Sequence, residues 1–264
     1  MLIRYFSDLH IDLNRKSDFP IDDSDVFTII AGDISGNPFI STDWINDNIK
    51  QGLFVAGNHI VYNSEHLSIS DWKDYLSKEF SLTSPISFLE NNYKEINNII
   101  FIGCTLYTDY KYGGDYQLNL INSGLCLNDF KFGLVGDKLK PLIPQDYADW
   151  FKESFNYIKS IVENNPTKEI VIITHHCPSP RCISSEHKNS NINSSFVSDL
   201  ESFIETHDNI KCWICGHVHN QVEEKINNCL LVCNPLGYMK RNENPNWTIN
   251  KFINTDTWEI VKIN

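Results

Sequence analysis

Five short apolar runs, each the length of a buried strand, end in residues that bind metals, and this recurrence constrains the chain more than any other feature. Leu2 to Phe6 leads into Asp8-Leu9-His10, Val26 to Ala31 into Gly32-Asp33, and Leu53 to Ala56 into Gly57-Asn58-His59. Ile170 to Ile173 leads into Thr174-His175-His176, and Trp213 to Cys215 into Gly216-His217-Val218-His219. One such ending is weak, because an Asp after a strand is ordinarily a turn or cap residue and a lone His beside a core strand is ordinarily structural. Together they need a common cause: six of the nine histidines fall in these endings, whereas packing or surface histidines would be spread along the chain. In Asp-x-His and His-x-His, two-residue spacing puts both side chains on one side of an extended segment, so each pair can converge on one site. Glycines before Asp33, Asn58 and His217 permit tight turns and close backbone approach. Carboxylate, amide oxygen and imidazole together suit Mn, Fe, Co, Ni or Zn, manganese first among them, better than an all-oxygen calcium site.

Further strand-like runs are Ile99 to Ile102 and Leu230 to Cys233, and the tail alternates in Trp247-Thr248-Ile249 and Trp258 to Ile263, predicting closing antiparallel strands. Helical stripes run through Tyr147, Trp150, Phe151, Phe155, Ile158, Ile161 and Val162, and through Phe196, Val197, Leu200, Phe203 and Ile204. Strands mixed with helices predict an α/β or α+β layered fold with chemistry on the loops after the strands. With 264 residues, 41 % of them hydrophobic, one compact domain spanning 1–264 is expected. The segment Gly103 to Pro144 is rich in Gly, Asp and Tyr; it reads either as a rim beside the site or as a surface connection whose tyrosines pack on the core.

The formal charge of −12 repels polyanions, which disfavours long nucleic acid while leaving a small phosphorylated substrate compatible with a metal-charged pocket. No apolar run reaches membrane-span length, the opening residues lack a secretory layout, and a cleaved leader would remove Asp8, so a cytoplasmic protein with no membrane partner is expected. No heptad seam is present, so a monomer is the default. The eight cysteines read as free thiols. Cys212, Cys215, Cys229 and Cys233 have zinc-like spacing, but both pairs lie in strand-like apolar text, and buried thiols account for them.

The order D-x-H, G-D, G-N-H, H, G-H-x-H, spanning Asp8 to His219, resembles the calcineurin-like metallophosphoesterase superfamily. Tyr5-Phe6-Ser7-Asp8, Thr174-His175-His176-Cys177-Pro178-Ser179 and Asn234-Pro235-Leu236-Gly237-Tyr238 are similar to its small bacterial or phage-type single-domain members. The resemblance implies a layered sandwich of two mixed β-sheets flanked by helices. It implies one metal on Asp8, His10 and His219, a second on Asn58, His175 and His217, and Asp33 bridging them. It further implies a metal-bridging hydroxide as nucleophile and His59 as the catalytic residue that donates a proton to the leaving oxygen or binds a phosphoryl oxygen. His176 either lines the pocket or supports His175; Tyr107 and Asp109 are candidate substrate contacts. Asp109 and Asn128-Asp129-Phe130 could each approach substrate from the irregular segment, but turn capping is the favoured reading of both. Ile60 stands where many relatives have an acidic residue after G-N-H, and Leu236 where small members often have Arg. Gly32-Asp33-Ile34-Ser35-Gly36-Asn37 lacks the longer protein-phosphatase signature. The expected activity is hydrolysis of a small phosphodiester, a nucleotide or cyclic nucleotide; the alternatives are a phosphomonoesterase and a non-catalytic scaffold on the same fold.

Overall fold

The computed structural model describes residues 1–261 except 17, 20, 22–24, 63–67, 137 and 138. In chain order the strands are β1 (Leu2–Phe6), β2 (Phe27–Ala31), β3 (Gly52–Val55), β4 (Ile86–Phe88), β5 (Asn92–Ile96), β6 (Ile99–Cys104), β7 (Leu134–Val135) and β8 (Lys140–Pro141). They continue as β9 (Glu169–Thr174), β10 (Ile210–Cys215), β11 (Val222–Ile226), β12 (Cys229–Cys233), β13 (Phe252–Asn254) and β14 (Glu259–Val261). The helices are α1 (Ile11–Asn14), α2 (Pro38–Asn48), α3 (Ile69–Glu79), α4 (Tyr116–Cys126), α5 (Asp129–Phe132), α6 (Pro144–Asn164) and α7 (Glu201–Glu205).

Two six-stranded sheets form, in the orders β14-β13-β1-β2-β3-β4 and β11-β12-β10-β9-β6-β5. Both are mixed: β1, β2, β3 and β4 run parallel, as do β6, β9, β10 and β12, with antiparallel pairing through β13 and β14 at one edge of the first sheet and through β11 and β5 at the two edges of the second. Period-two alternation divides each strand between two cores. Ile3, Tyr5, Ile29, Leu53 and Val55 meet Phe101, Val171, Ile173, Cys212 and Ile214 between the sheets. The residues in between, such as Phe6, Ile30, Ile172 and Trp213, belong to the core that includes helix residues Trp44, Trp72, Tyr147, Phe151 and Ile158. Strands covered on both faces explain the nearly unbroken apolar runs.

α6 follows its predicted stripe, burying Tyr147, Phe151, Ile158 and Val162, with Pro144 in its first turn. The second stripe is corrected: only Glu201–Glu205 is α-helical. Val197 instead forms a parallel bridge with Cys177, in which Cys177 N–H donates to Phe196 O at 3.2 Å and Ser198 N–H to Cys177 O at 3.0 Å. Those backbone bonds keep Val197 out of a helix, tertiary pairing overriding periodicity. Trp247-Thr248-Ile249 is likewise no strand; Asn234 Nδ2 donates to Thr248 O at 2.9 Å and Trp247 Nε1 to Asn234 O at 3.1 Å, and β13 closes the sheet three residues later. Glu259–Val261 is the last described strand; Lys262 and Ile263 of that expected strand lie outside the described residues. The Gly103 to Pro144 segment carries α4 and α5, and Tyr107 and Tyr110 are buried in the core, the packed alternative of the two considered.

Candidate metal centre

All five endings lie at the carboxyl ends of parallel strands, β1, β2 and β3 of one sheet and β9 and β10 of the other. Ligands of α/β folds gather at this edge. The backbone there turns sharply: Asp8, His10, Asp33, His217 and His219 all have φ between 42° and 68°. For residues other than glycine this left-handed conformation costs on the order of 1 kcal/mol or more each, and such strain collects at functional sites. Gly57 has φ of 87°, and a Cβ there would stand 2.1 Å from Asp33 Oδ1. No other residue type fits.

Asp8, His10 and His219 form one group of converging donor atoms, and Asp33, His175 and His217 a second, each group within 4.8 Å. Asp33 also groups with His10 and His59, which places it between the two sets. In the first group His219 Nε2 lies 3.3 Å from Asp8 Oδ1 and 3.0 Å from His10 Nε2. In the second, His175 Nε2 lies 3.1 Å from Asp33 Oδ2 and 2.9 Å from Asn58 Oδ1.

The partners on the far side of each ring explain what these near sides need. His175 Nδ1 faces Ala31 O at 2.8 Å and so carries the proton donated to that carbonyl; neutral His175 therefore turns a lone pair towards two oxygens. Asn58 Nδ2 donates to Asp129 Oδ2 at 2.9 Å, which fixes the amide with Oδ1 towards His175. In that neutral form three lone pairs meet, so a cation, either a metal ion or a proton on Nε2, belongs between them. His219 repeats the pattern, with Nδ1 on Glu243 Oε2 at 2.8 Å and Nε2 towards Asp8 and His10. Nδ1 of His10 and Nε2 of His217 are buried with no hydrogen-bond partner. The donor set fits divalent ions.

Without metal, protons take that place. Burial opposes a charge on His175, but the Asp33 carboxylate outweighs it and holds the imidazolium up to about 9. Burial also opposes charge on His219, yet hydrogen bonds to Asp8 and Glu243 raise it to about 10. His10 is driven down to about 3 by burial and by the neighbouring His59, and His217 falls well below its usual value through burial and His176. Burial favours the neutral forms of Asp8 and Asp33, but the surrounding histidines hold both carboxyls low.

His59 opens a 3-10 turn, with its N–H donating to Asp33 Oδ1 at 3.0 Å, Nε2 3.7 Å from Asp33 Oδ2 and 3.4 Å from the Tyr238 hydroxyl. His176 packs its ring 4.0 Å from that of His217, and both its ring nitrogens are buried without partners. Tyr107 is fully buried, its ring 4.4 Å from Tyr147 and 5.5 Å from His176. Asp109 Oδ1 caps its own turn by accepting the Lys111 N–H at 3.1 Å, and lines a groove with Tyr116, Gln145 and Asp149 that includes none of the candidate ligands. Two positioning residues were missed in the sequence. Asp129, read there as a turn cap, is buried and accepts from Asn58, Tyr62 and Tyr147. Glu243, 24 residues beyond His219, has no local signal at all.

The calcineurin-like phosphoesterase family profile matches residues 1–221. This chain belongs to that family. The calcineurin-like phosphoesterases are metal-dependent phosphohydrolases, and the two mixed six-stranded sheets are their layered α/β sandwich. An uncharacterised protein, L509, of Acanthamoeba polyphaga mimivirus is 28 % identical over 272 residues, covering 93 % of this chain and 94 % of that protein. The crystal structure of phosphopantetheinyl hydrolase, PptH, from Mycobacterium tuberculosis superposes with a TM-score of 0.71 at 15 % identity, covering 93 % of each chain. That likeness is one of fold. Among the described residues, no helix is long and apolar enough to cross a membrane.

Proposed function

We propose that this phosphoesterase hydrolyses a small soluble phosphodiester, a nucleotide or cyclic nucleotide, at a centre of two divalent ions, manganese first among them. Asp8, His10 and His219 would hold one ion, Asn58, His175 and His217 the other, with Asp33 shared. The observation that carries the reading is that Asn58 Oδ1 and Asp33 Oδ2 both face His175 Nε2, at 2.9 and 3.1 Å. When bound, the ions supply charge that polarises phosphoryl oxygens and acidifies water at the centre.

The chain's own residues supply position and a proton. Ala31 O and Glu243 fix the ring orientation of His175 and His219, and Asp129 fixes the Asn58 amide. His59 stands beside Asn58 with its ring packed between those of His10 and Tyr62, at centroid distances of 4.3 and 4.6 Å. From there it donates a proton to the leaving oxygen. Tyr62 and Tyr238 flank it, aromatic neighbours that suit the single charge and organic second substituent of a diester. The formal charge of −12 favours a small substrate over a polyanion. All eight cysteines are unpaired, which agrees with a reducing, cytoplasmic setting. A non-catalytic scaffold would have no need to keep all seven candidate ligands on one edge.

The test is hydrolysis of bis(p-nitrophenyl) phosphate and p-nitrophenyl phosphate by metal-stripped protein resupplied with Mn²⁺. Faster diester turnover is expected, abolished in Asp33→Asn and reduced on the order of 10² to 10⁴-fold in His59→Ala. Faster monoester turnover overturns the diester assignment, and no metal-restored turnover of either ester overturns the enzyme reading.

A further inference from the structure

Four cysteine sulfurs converge in the buried core: those of Cys177, Cys182, Cys215 and Cys233 all lie within 4.8 Å of one another. They come from four separate places. Cys215 ends β10, Cys233 ends β12, Cys177 follows β9, and Cys182 closes the 3-10 turn Pro180–Cys182. Parallel register sets Cys215 directly beside Cys233, with sulfurs 3.0 Å apart, and Cys177 Sγ lies 3.9 Å from Cys233 Sγ. All four residues are at most 1 % exposed.

This set differs from the one that sequence spacing suggested. In an extended strand, residues three apart point to opposite faces, so Cys212 enters the inter-sheet core while Cys215 faces the other way. Cys212 and Cys215 therefore cannot share an ion. Cys177 and Cys182, which carry no spacing signal, complete the group instead.

We propose that these four thiolates hold one zinc ion, a structural site separate from the phosphoesterase centre. Zinc bonds sulfur at about 2.3 Å in a tetrahedron, which makes neighbouring sulfurs about 3.8 Å apart. The 3.9 Å pair already has that spacing, and the 3.0 Å pair opens by less than an ångström to reach it. Four protein donors with no access for solvent make the closed coordination of a structural zinc. Loading releases the thiol protons, including the one that Cys177 donates to Gly216 O at 3.1 Å.

The position gives such an ion a purpose. Cys177 is two residues beyond His175, and Cys215 two before His217. One ion would tie together the two strand ends that carry three of the seven candidate ligands, His175, His217 and His219, together with the β12 end that leads to Tyr238.

The test uses the full chain, produced with zinc in the medium and dialysed against a chelator that empties the solvent-reachable phosphoesterase centre. Elemental analysis should find one zinc retained per chain. It should persist in Asp33→Asn/His175→Ala, which disables the other centre, and in Cys212→Ser and Cys126→Ser, and it should be lost in Cys182→Ser and Cys233→Ser. Should the last two fail to fold, Co²⁺ reconstitution of the unaltered chain decides: a strong thiolate-to-cobalt charge-transfer absorption, still present in Asp33→Asn/His175→Ala, supports the site. No retained zinc together with no such absorption overturns the proposal. So does a thiol count in denaturant and chelator that falls two short of eight, as a Cys215–Cys233 disulfide would produce.

Discussion

Asp129 acts through Asn58. Its carboxylate takes the amide N–H at 2.9 Å and the hydroxyls of Tyr62 and Tyr147, so it decides which way the Asn58 oxygen points. Asp129→Ala is expected to weaken Mn²⁺ binding about 10- to 100-fold, measured by titrating the metal into protein whose circular dichroism shows it folded. Affinity unchanged from that of the parent chain would remove Asp129 from the positioning role. Ile60 gives His59 no acidic neighbour in the chain; the Asp33 carboxylate and the Tyr238 hydroxyl stand 3.7 and 3.4 Å from its Nε2. None of these partners adjoins in sequence the residue it serves, which is why pattern reading named the histidines and passed over what orients them.

Strand ends set the centre, and the turn after β3 leaves the least room. Gly57 combines a positive φ with a Cβ position 2.1 Å from Asp33 Oδ1. Gly113 also has positive φ, 77°, but a Cβ there meets nothing within 4 Å, so the pair separates backbone strain from steric displacement. Both Ala variants should lose about 1 kcal/mol of stability for the conformation. Only Gly57→Ala should also lose metal-restored phosphoesterase turnover, because only it displaces Asp33; equal turnover in the two variants would show that Asp33 tolerates the displacement. The Phe196–Ser198 stretch likewise departs from its local pattern. Its apolar spacing is helical, yet its backbone groups bond to Cys177, and a local pattern carries no information about a partner 20 residues away.

Across the whole molecule, the candidate ligands come from both sheets, so ions at the centre would brace one sheet against the other. Binding to the folded state alone raises stability with metal concentration. Metal-free protein should instead depend on protons, with a sign that follows from the histidines. His175 and His219, raised to about 9 and about 10 from 6.5, contribute stability that is complete below 6.5 and lost as pH rises through those values. His10, His176 and His217 are lowered, so they cost stability as pH falls below 6.5. Metal-stripped protein should therefore melt highest near pH 6.5. With Mn²⁺ bound the alkaline decline should disappear, since the ion replaces the protons. Thermal midpoints at pH 6.5, 8 and 9.5, with and without Mn²⁺, measure this, and parallel profiles would contradict it.

The sequence by itself determined the strand runs, the ligand-bearing endings and the family, because strand periodicity and ligand chemistry are local and recur five times in order. The α6 stripe was legible for the same reason. Which cysteines meet, which carboxylates hold Asn58 and His219, and where Phe196 and Trp247 leave regular structure were decided only by the tertiary fold. Those outcomes depend on strand register, on the face to which each residue points, and on contacts between segments far apart in the chain. Cys215 shows the boundary: its burial was readable from its strand, but its neighbours were set when β10 and β12 paired and the loop after β9 closed over them.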